Sequence, residues 1–433
     1  MRPLRIASLA LGLTFAATGC AHQSAYLTLE QRLHEPEPLA PETLLSSDQI
    51  RADIALARLA LERGYGGRNF VPATSWQATL DALERLSSQS LSVQAFCDAL
   101  AEAFWQLPDA HLSAKRQTIP ERSNARCGSS FKAASRKASV GANRGAAVAK
   151  ERPWAFESMQ VGNTLVGVLS IMRFPSRDAP EWKGFDDAVT SLGSSDAAII
   201  DLRGNGGGDD ARGYQVARAL VDGPVQTGVL KTHLRQTPET LTLLLNTLDR
   251  IARKPDGSLE DYMRESYAEV EAWRRSVLKT ASPEYLVREK SPYALHLGER
   301  AFKGPIAVLV DASCGSSCES TLEVLRRHPR ARVFGERTAG YIHFGDVGSL
   351  TLPHSGIRLG IPTKFHEYPS GAFFDKVGFE PDVVVSPGSD ALDSALDWLR
   401  PSLRESQGAL IVPRTPLGSA SPSRPEARCC AAA

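Results

Sequence analysis

The sequence predicts an α/β layer fold, and three observations carry that expectation. Apolar runs of strand length recur at residues 165–171, 197–202 and 306–310. Stretches of helical period follow the second and third. The junctions between them are rich in glycine or serine. Strands that alternate with helices through such turns build a sheet with helices packed against it, and side chains at the strand ends meet in a common crevice.

Taken in chain order, the first segment is not part of that pattern. A basic start, Met1-Arg-Pro-Leu-Arg5, precedes a short apolar or small-residue stretch at 6–17, then Ala17-Thr18-Gly19-Cys20. This is the plan of a secretory signal, and the apolar part is too short to span a bilayer. The Thr-Gly-Cys end resembles the lipobox of bacterial lipoproteins, with Ala17 where leucine is usual. The resemblance makes 1–19 a lipoprotein signal peptide, Cys20 the lipidated residue, and the N-terminal lipid the membrane attachment. The implied location is the bacterial cell envelope, on the periplasmic side of the outer membrane given Ala21. Residues 20–45, polar and carrying Pro36, Pro38 and Pro41, read as a tether.

Residues 46–111 form a helical subdomain, because Ile50, Ile54, Leu56 and Leu59 recur near helical spacing. So do Leu80, Leu83 and Leu86, then Val93, Phe96, Leu100 and Phe104. The stretch 112–153 holds ten Lys or Arg against two Glu and no long apolar run, so it reads as a basic linker. The core is expected at 154–399. A charged insertion of helical period at 236–290 lies between the glycine run and the serine turn, and is expected to cover the cleft as a lid. The Pro-, Ser-, Ala- and Arg-rich end, 400–433, is expected to be disordered.

The formal net charge of +1 excludes an overall electrostatic pull toward nucleic acid or an anionic membrane. Export lets the remaining cysteines pair, and Cys314 and Cys318 bracket the serine turn closely enough to be one candidate disulfide. No cysteine or histidine spacing reads as a zinc site, and no cofactor is implied.

Two stretches carry the chemistry. "DLRGNGGGDD", 201–210, closes a strand and opens a helix. It lacks both the lysine of a phosphate-binding loop and the spacing of a dinucleotide fingerprint, which leaves a tight turn or an oxyanion-binding loop. "DASCGSSCES", 311–320, lies between the apolar strand and a helix, a geometry that projects a nucleophile from a fixed corner. Helix capping by serine is the ordinary alternative, and the stretch alone does not choose among its four serines and two cysteines.

Together with "RVFGERTAG" and "GFEPDVVV", these segments resemble the C-terminal-processing (tail-specific) serine proteases. The match is to the branch of the tricorn core and the interphotoreceptor-retinoid-binding repeats, over about 46–111 and 154–390. The resemblance implies a crotonase-like core of ββα units and serine endopeptidase chemistry on a peptide or protein substrate. In that family the nucleophile stands three residues before a glutamate, which selects Ser316 ahead of Glu319. The oxyanion donors then fall at Gly208 and Ser317, since acyl transfer needs preorganised N–H groups aimed at the tetrahedral oxygen. The lysine of the best-known members is replaced by Tyr341, so the base is carried over from the tricorn-like branch to His111 in "DAHL", with His343 as the rival. The orienting acid maps to Asp375, shorter than the family's glutamate, with Asp109 a second possibility; Ala110 stands where the branch has serine. The usual PDZ module is absent. A catalytically inactive scaffold that binds peptides or apolar ligands is the alternative, motivated by the missing lysine and serine.

Overall fold

The computed structural model describes residues 38–117, 124–127, 152–221, 224–225, 228–254, 257–280, 282–289, 293–294, 302–386 and 388–405. Cys20 and the segments expected to be a signal peptide and most of a tether lie outside the described residues, as does most of the basic stretch.

In chain order the elements are β1 Leu44–Leu45, α1 Ser47–Gly64, α2 Ala73–Leu86, β2 Leu91–Ser92, α3 Val93–Trp105, β3 Ser113–Gln117 and β4 Asn124–Arg126. Then come β5 Trp154–Val161, β6 Thr164–Ile171, α4 Phe185–Gly193, β7 Ala197–Asp201, α5 Ala211–Leu220, β8 Pro224–Val225 and β9 Lys231–Arg235. The chain continues through α6 Pro238–Ala252, α7 Arg264–Lys279, β10 Tyr285–Glu289, β11 Tyr293–Ala294, β12 Ile306–Val310 and α8 Ser317–Leu325. It closes with β13 Ala331–Gly335, β14 Phe344–Thr351, β15 Arg358–Glu367, β16 Val383–Val384 and α9 Ala391–Glu405.

The fold is mixed α/β, as the strand–turn–helix pattern requires. One sheet has the order β16-β13-β12-β7-β6-β5 and is parallel except for the β5–β6 pair. Every residue of its central strand β12 is buried, which is why that segment reads as an unbroken apolar run rather than an alternation. Each of its Ile, Val and Leu side chains contributes roughly 1.5–3 kcal/mol of burial. Ile306 pairs with Ala198 and Leu309 with Asp201, so β12 and β7 end side by side and deliver the serine turn and the glycine run to the same edge.

A second sheet, β10-β9-β15-β3-β4 with β14 against β15, is antiparallel and packs with the N-terminal helices around a separate apolar cluster. It contains β3 and β4, which fall in the stretch that reads as linker. Lys115 and Arg116 lie in β3, so charge conceals its strand character. A disulfide between Cys97 and Cys127 ties the end of this hairpin to α3.

The insertion also differs from expectation. Helices α6 and α7 are present, but flanked by strands β9 and β10 of the second sheet. Asn246 donates to Ser349 O and Thr247 to Val347 O, so α6 is bound to β14 as a layer of the fold, where a lid was expected. At the C-terminal side, α9 continues to Glu405, past residue 399. No helix of the described residues is long and apolar enough to cross a membrane.

Candidate active site

Ser316 occupies the N-cap of α8 with φ 57° and ψ −121°, backbone angles that glycine takes readily and other residues do not. Holding a side chain there costs about 1–3 kcal/mol and has to be imposed by the surroundings. The imposing contacts are local. Gly315 N–H donates to Asn205 O (3.2 Å), and Gly204 N–H donates to the Asp311 carboxylate (3.1 Å), so the two turns brace each other. Ser317 Oγ donates to Gly208 O at 2.6 Å, fixing the end of the glycine run beside the first helical residue. Cys314 and Cys318 form a disulfide across the turn, with Cα atoms 5.4 Å apart.

The glycines at 207 and 208 are required by space as well as by φ (96° and 137°). A Cβ on Gly207 would lie 2.8 Å from Ser316 Cβ, and one on Gly208 would lie 1.7 Å from Phe174 O. The run passes so close to the serine that no side chain fits between them.

Sequence reasoning used Glu319 only to set the register. In the structure its buried carboxylate accepts four hydrogen bonds. Oε1 takes the Thr338 hydroxyl (2.6 Å) and Gly340 N–H (2.8 Å); Oε2 takes Tyr341 N–H (2.6 Å) and Ser316 N–H (3.2 Å). Burial pushes its pKa up and these donors pull it back. The result joins the serine turn to the 338–341 segment. A buried acid at the third helical position, after a serine cap, is the signal that could have disclosed this.

Tyr341 is the second residue missed. Its ring is where a Cβ on Gly315 would touch (3.1 Å to Cδ2), and it stands edge-on to the His111 ring at 5.2 Å between centroids. One aromatic ring therefore packs against both the turn that bears Ser316 and the imidazole of His111.

The backbone of His111 is held from below: its main-chain N–H donates to Asp109 Oδ1 (2.7 Å), which also accepts from Leu112 N–H (3.1 Å). Asp375, buried, accepts Ala110 N–H on Oδ2 (3.2 Å), and Ile342 N–H (2.8 Å) and His343 N–H (2.7 Å) on Oδ1. One side-chain atom from each of Asp109, His111 and Asp375 lies within 4.8 Å of the others. Three of the four carboxylate oxygens in this cluster accept backbone N–H groups, an arrangement that fixes the loop bearing His111.

The rival base is engaged elsewhere. His343 Nδ1 sits 2.9 Å from His366 O and must donate to it, which leaves Nε2 to accept Phe374 N–H at 2.9 Å. Burial lowers its pKa, and rings of Phe365, Phe373 and Phe374 stack around it. It is a neutral histidine of the core.

The structure thus brings together a strained serine on a strand-to-helix turn, a glycine loop beside it and a tyrosine ring that contacts both the serine turn and His111. The model of Peptidase family S41 matches residues 165–385, and the chain belongs to that family of C-terminal-processing serine peptidases. The nisin-resistance protein of Lactococcus lactis subsp. lactis is 24% identical over 246 residues, which are 56% of this chain and 62% of that protein. Mature CPAF superposes with a TM-score of 0.52 at 17% identity, covering 84% of this chain and 99% of the other. Mature CPAF complexed with lactacystin gives 0.50 at 16% identity, covering 83% and 98%. At these identities the structural likeness concerns the fold.

Proposed function

We propose that the protein is an exported serine endopeptidase in which Ser316 is the nucleophile, His111 the general base and Asp375 the acid that orients the base loop. His111 takes the Ser316 Oγ proton as the oxygen attacks the scissile carbonyl. The N–H groups of Gly208 and Ser317 receive the tetrahedral oxyanion, and His111 returns the proton to the leaving amine. Water then hydrolyses the acyl-enzyme by the same route. The observation that carries the reading is the Tyr341 ring, packed on both the Ser316 turn and His111. The two disulfides support folding in an oxidising compartment, in keeping with a signal peptide and a lipid on Cys20. A relative named for nisin resistance supports a cell-envelope setting and a peptide substrate.

The test is labelling by a fluorophosphonate, followed by digestion of a peptide library. Wild-type protein should label, Ser316→Ala should not, and His111→Ala should label far more slowly. A folded wild-type protein that neither labels nor cleaves peptides would be a binding scaffold instead. For the anchor, Cys20→Ala should move the protein from the membrane to the soluble fraction. A cysteine-intact protein already soluble after export would refute the lipid.

A further inference from the structure

We propose that Asp109 and Asp375 form a carboxyl pair sharing one proton behind His111, which makes Asp109 a positioning residue for the base. The proposal rests on the Ser316–His111 reading. Both carboxyls are almost wholly buried, and an oxygen of each lies within 4.8 Å of the other and of a ring nitrogen of His111. The cation facing them is Lys376, but its ammonium donates to Trp105 O and Leu107 O rather than to either carboxylate. From the other sides come the Tyr65 hydroxyl at the end of α1, the N–H of His343 and His111 itself.

Two ionised carboxylates this close, dry and without a direct cationic partner among the described residues repel each other, so one of them keeps a proton. One negative charge then remains, opposite the single charge of Lys376. The remaining charge is the one that faces the imidazolium formed when His111 accepts the serine proton. During acylation the shared proton stays on the pair, because the proton that moves runs from Ser316 to His111 and on to the leaving amine. Asp109 Oδ1 meanwhile holds the His111 and Leu112 N–H groups, and Asp375 holds Ala110 N–H. The pair thus holds three successive N–H groups of the base loop, those of Ala110, His111 and Leu112, where the branch's serine is missing.

Burial pushes Asp109 up to about 7 and raises Asp375 as well, with Asp109 as a further cause for the latter. In the unfolded chain an aspartate titrates at about 3.9. Between these values the folded protein binds a proton that the unfolded chain does not. The pair's contribution to stability is therefore complete below the unfolded pKa and is lost as pH rises through about 7.

The experiment compares wild-type protein with Asp109→Asn by infrared spectroscopy and by thermal unfolding across this range. Wild type should show the band of a protonated buried carboxyl at about pH 6, and Asp109→Asn should lack it. The fall in melting temperature between about pH 4 and 7 should be shallower in Asp109→Asn. The pH profile of fluorophosphonate labelling should lose one ionisation in the same variant. Absence of the band from wild type, or parallel melting curves, would overturn the pair; the infrared test on wild type needs no variant to fold. If wild type fails to label, the Ser–His reading falls, while the band and the melting curves still decide the pair separately.

Discussion

The two halves of the proposed site are built in opposite ways. The nucleophile half is local: Ser316, Ser317, Glu319, Cys314 and Cys318 lie within one turn, and the glycine run that faces it enters from the neighbouring strand. The base half is assembled from afar. His111 stands at the end of the helical subdomain, and its loop is held by Asp375 across 265 positions of sequence. A site composed this way has its geometry set by backbone strain on one side and by buried charge on the other. Tyr341 packs against both halves.

The largest expected effect would break the comparison outright. His111→Ala should lower peptide hydrolysis about 10⁴-fold, whereas His343→Gln, if folded, should retain a rate within about tenfold of wild type. The measurement is initial rate per mole of folded protein. The reverse ranking would move the base to the aromatic core and dissolve the distinction between the halves.

The next test probes the joint between them. Glu319→Gln places an amide NH₂ against backbone donors that need an acceptor, which costs about 1–3 kcal/mol of stability. Because Ser316 and Tyr341 both donate to this carboxylate, hydrolysis should fall roughly 10²-fold in kcat with little change in KM. Equal loss in a variant of comparable stability with Glu319 intact would show that the clamp has no part in positioning.

The disulfides sharpen the contrast with smaller effects. Removing Cys97–Cys127, which spans a separation of 30, should cost about 3–4 kcal/mol in chemical unfolding and leave the rate per folded molecule nearly unchanged. Removing Cys314–Cys318, with a separation of 4, should cost about 2 kcal/mol or less and slow the rate several-fold, because that bridge spans Ser316. If the distant bridge altered the rate more than the near one, the base half would be the mechanically sensitive one.

The same division explains what the sequence disclosed. The strand ends, the glycine run and the serine turn are contiguous, and their residue types are dictated by φ and by close approach, so each could be recognised from a short window. The junction of Asp375 with Ala110, Ile342 and His343 is a meeting of three segments, and no local pattern marks it. Resemblance to a family supplied Asp375 and His111 as candidates but not what they touch. Glu319 was legible as a marker and illegible as a four-fold acceptor, since two of its donors lie on the 340–341 backbone. Strands β3 and β4 escaped because Lys and Arg outnumber apolar residues there, and β9 and β10 because charged helices dominate the insertion between them.

The backbone of Ser316 has a bearing on descent as well as on catalysis. A residue kept at φ 57° against its preference is one whose replacement by glycine relieves the chain while deleting the nucleophile. Ser316→Gly should therefore be inert and yet melt no lower than wild type. Under such conditions a lineage that stops needing the reaction meets no penalty in folding for abandoning it, and drift runs downhill toward a silent copy. The backbone at this corner thus favours glycine, and folding alone supplies no reason for a serine there.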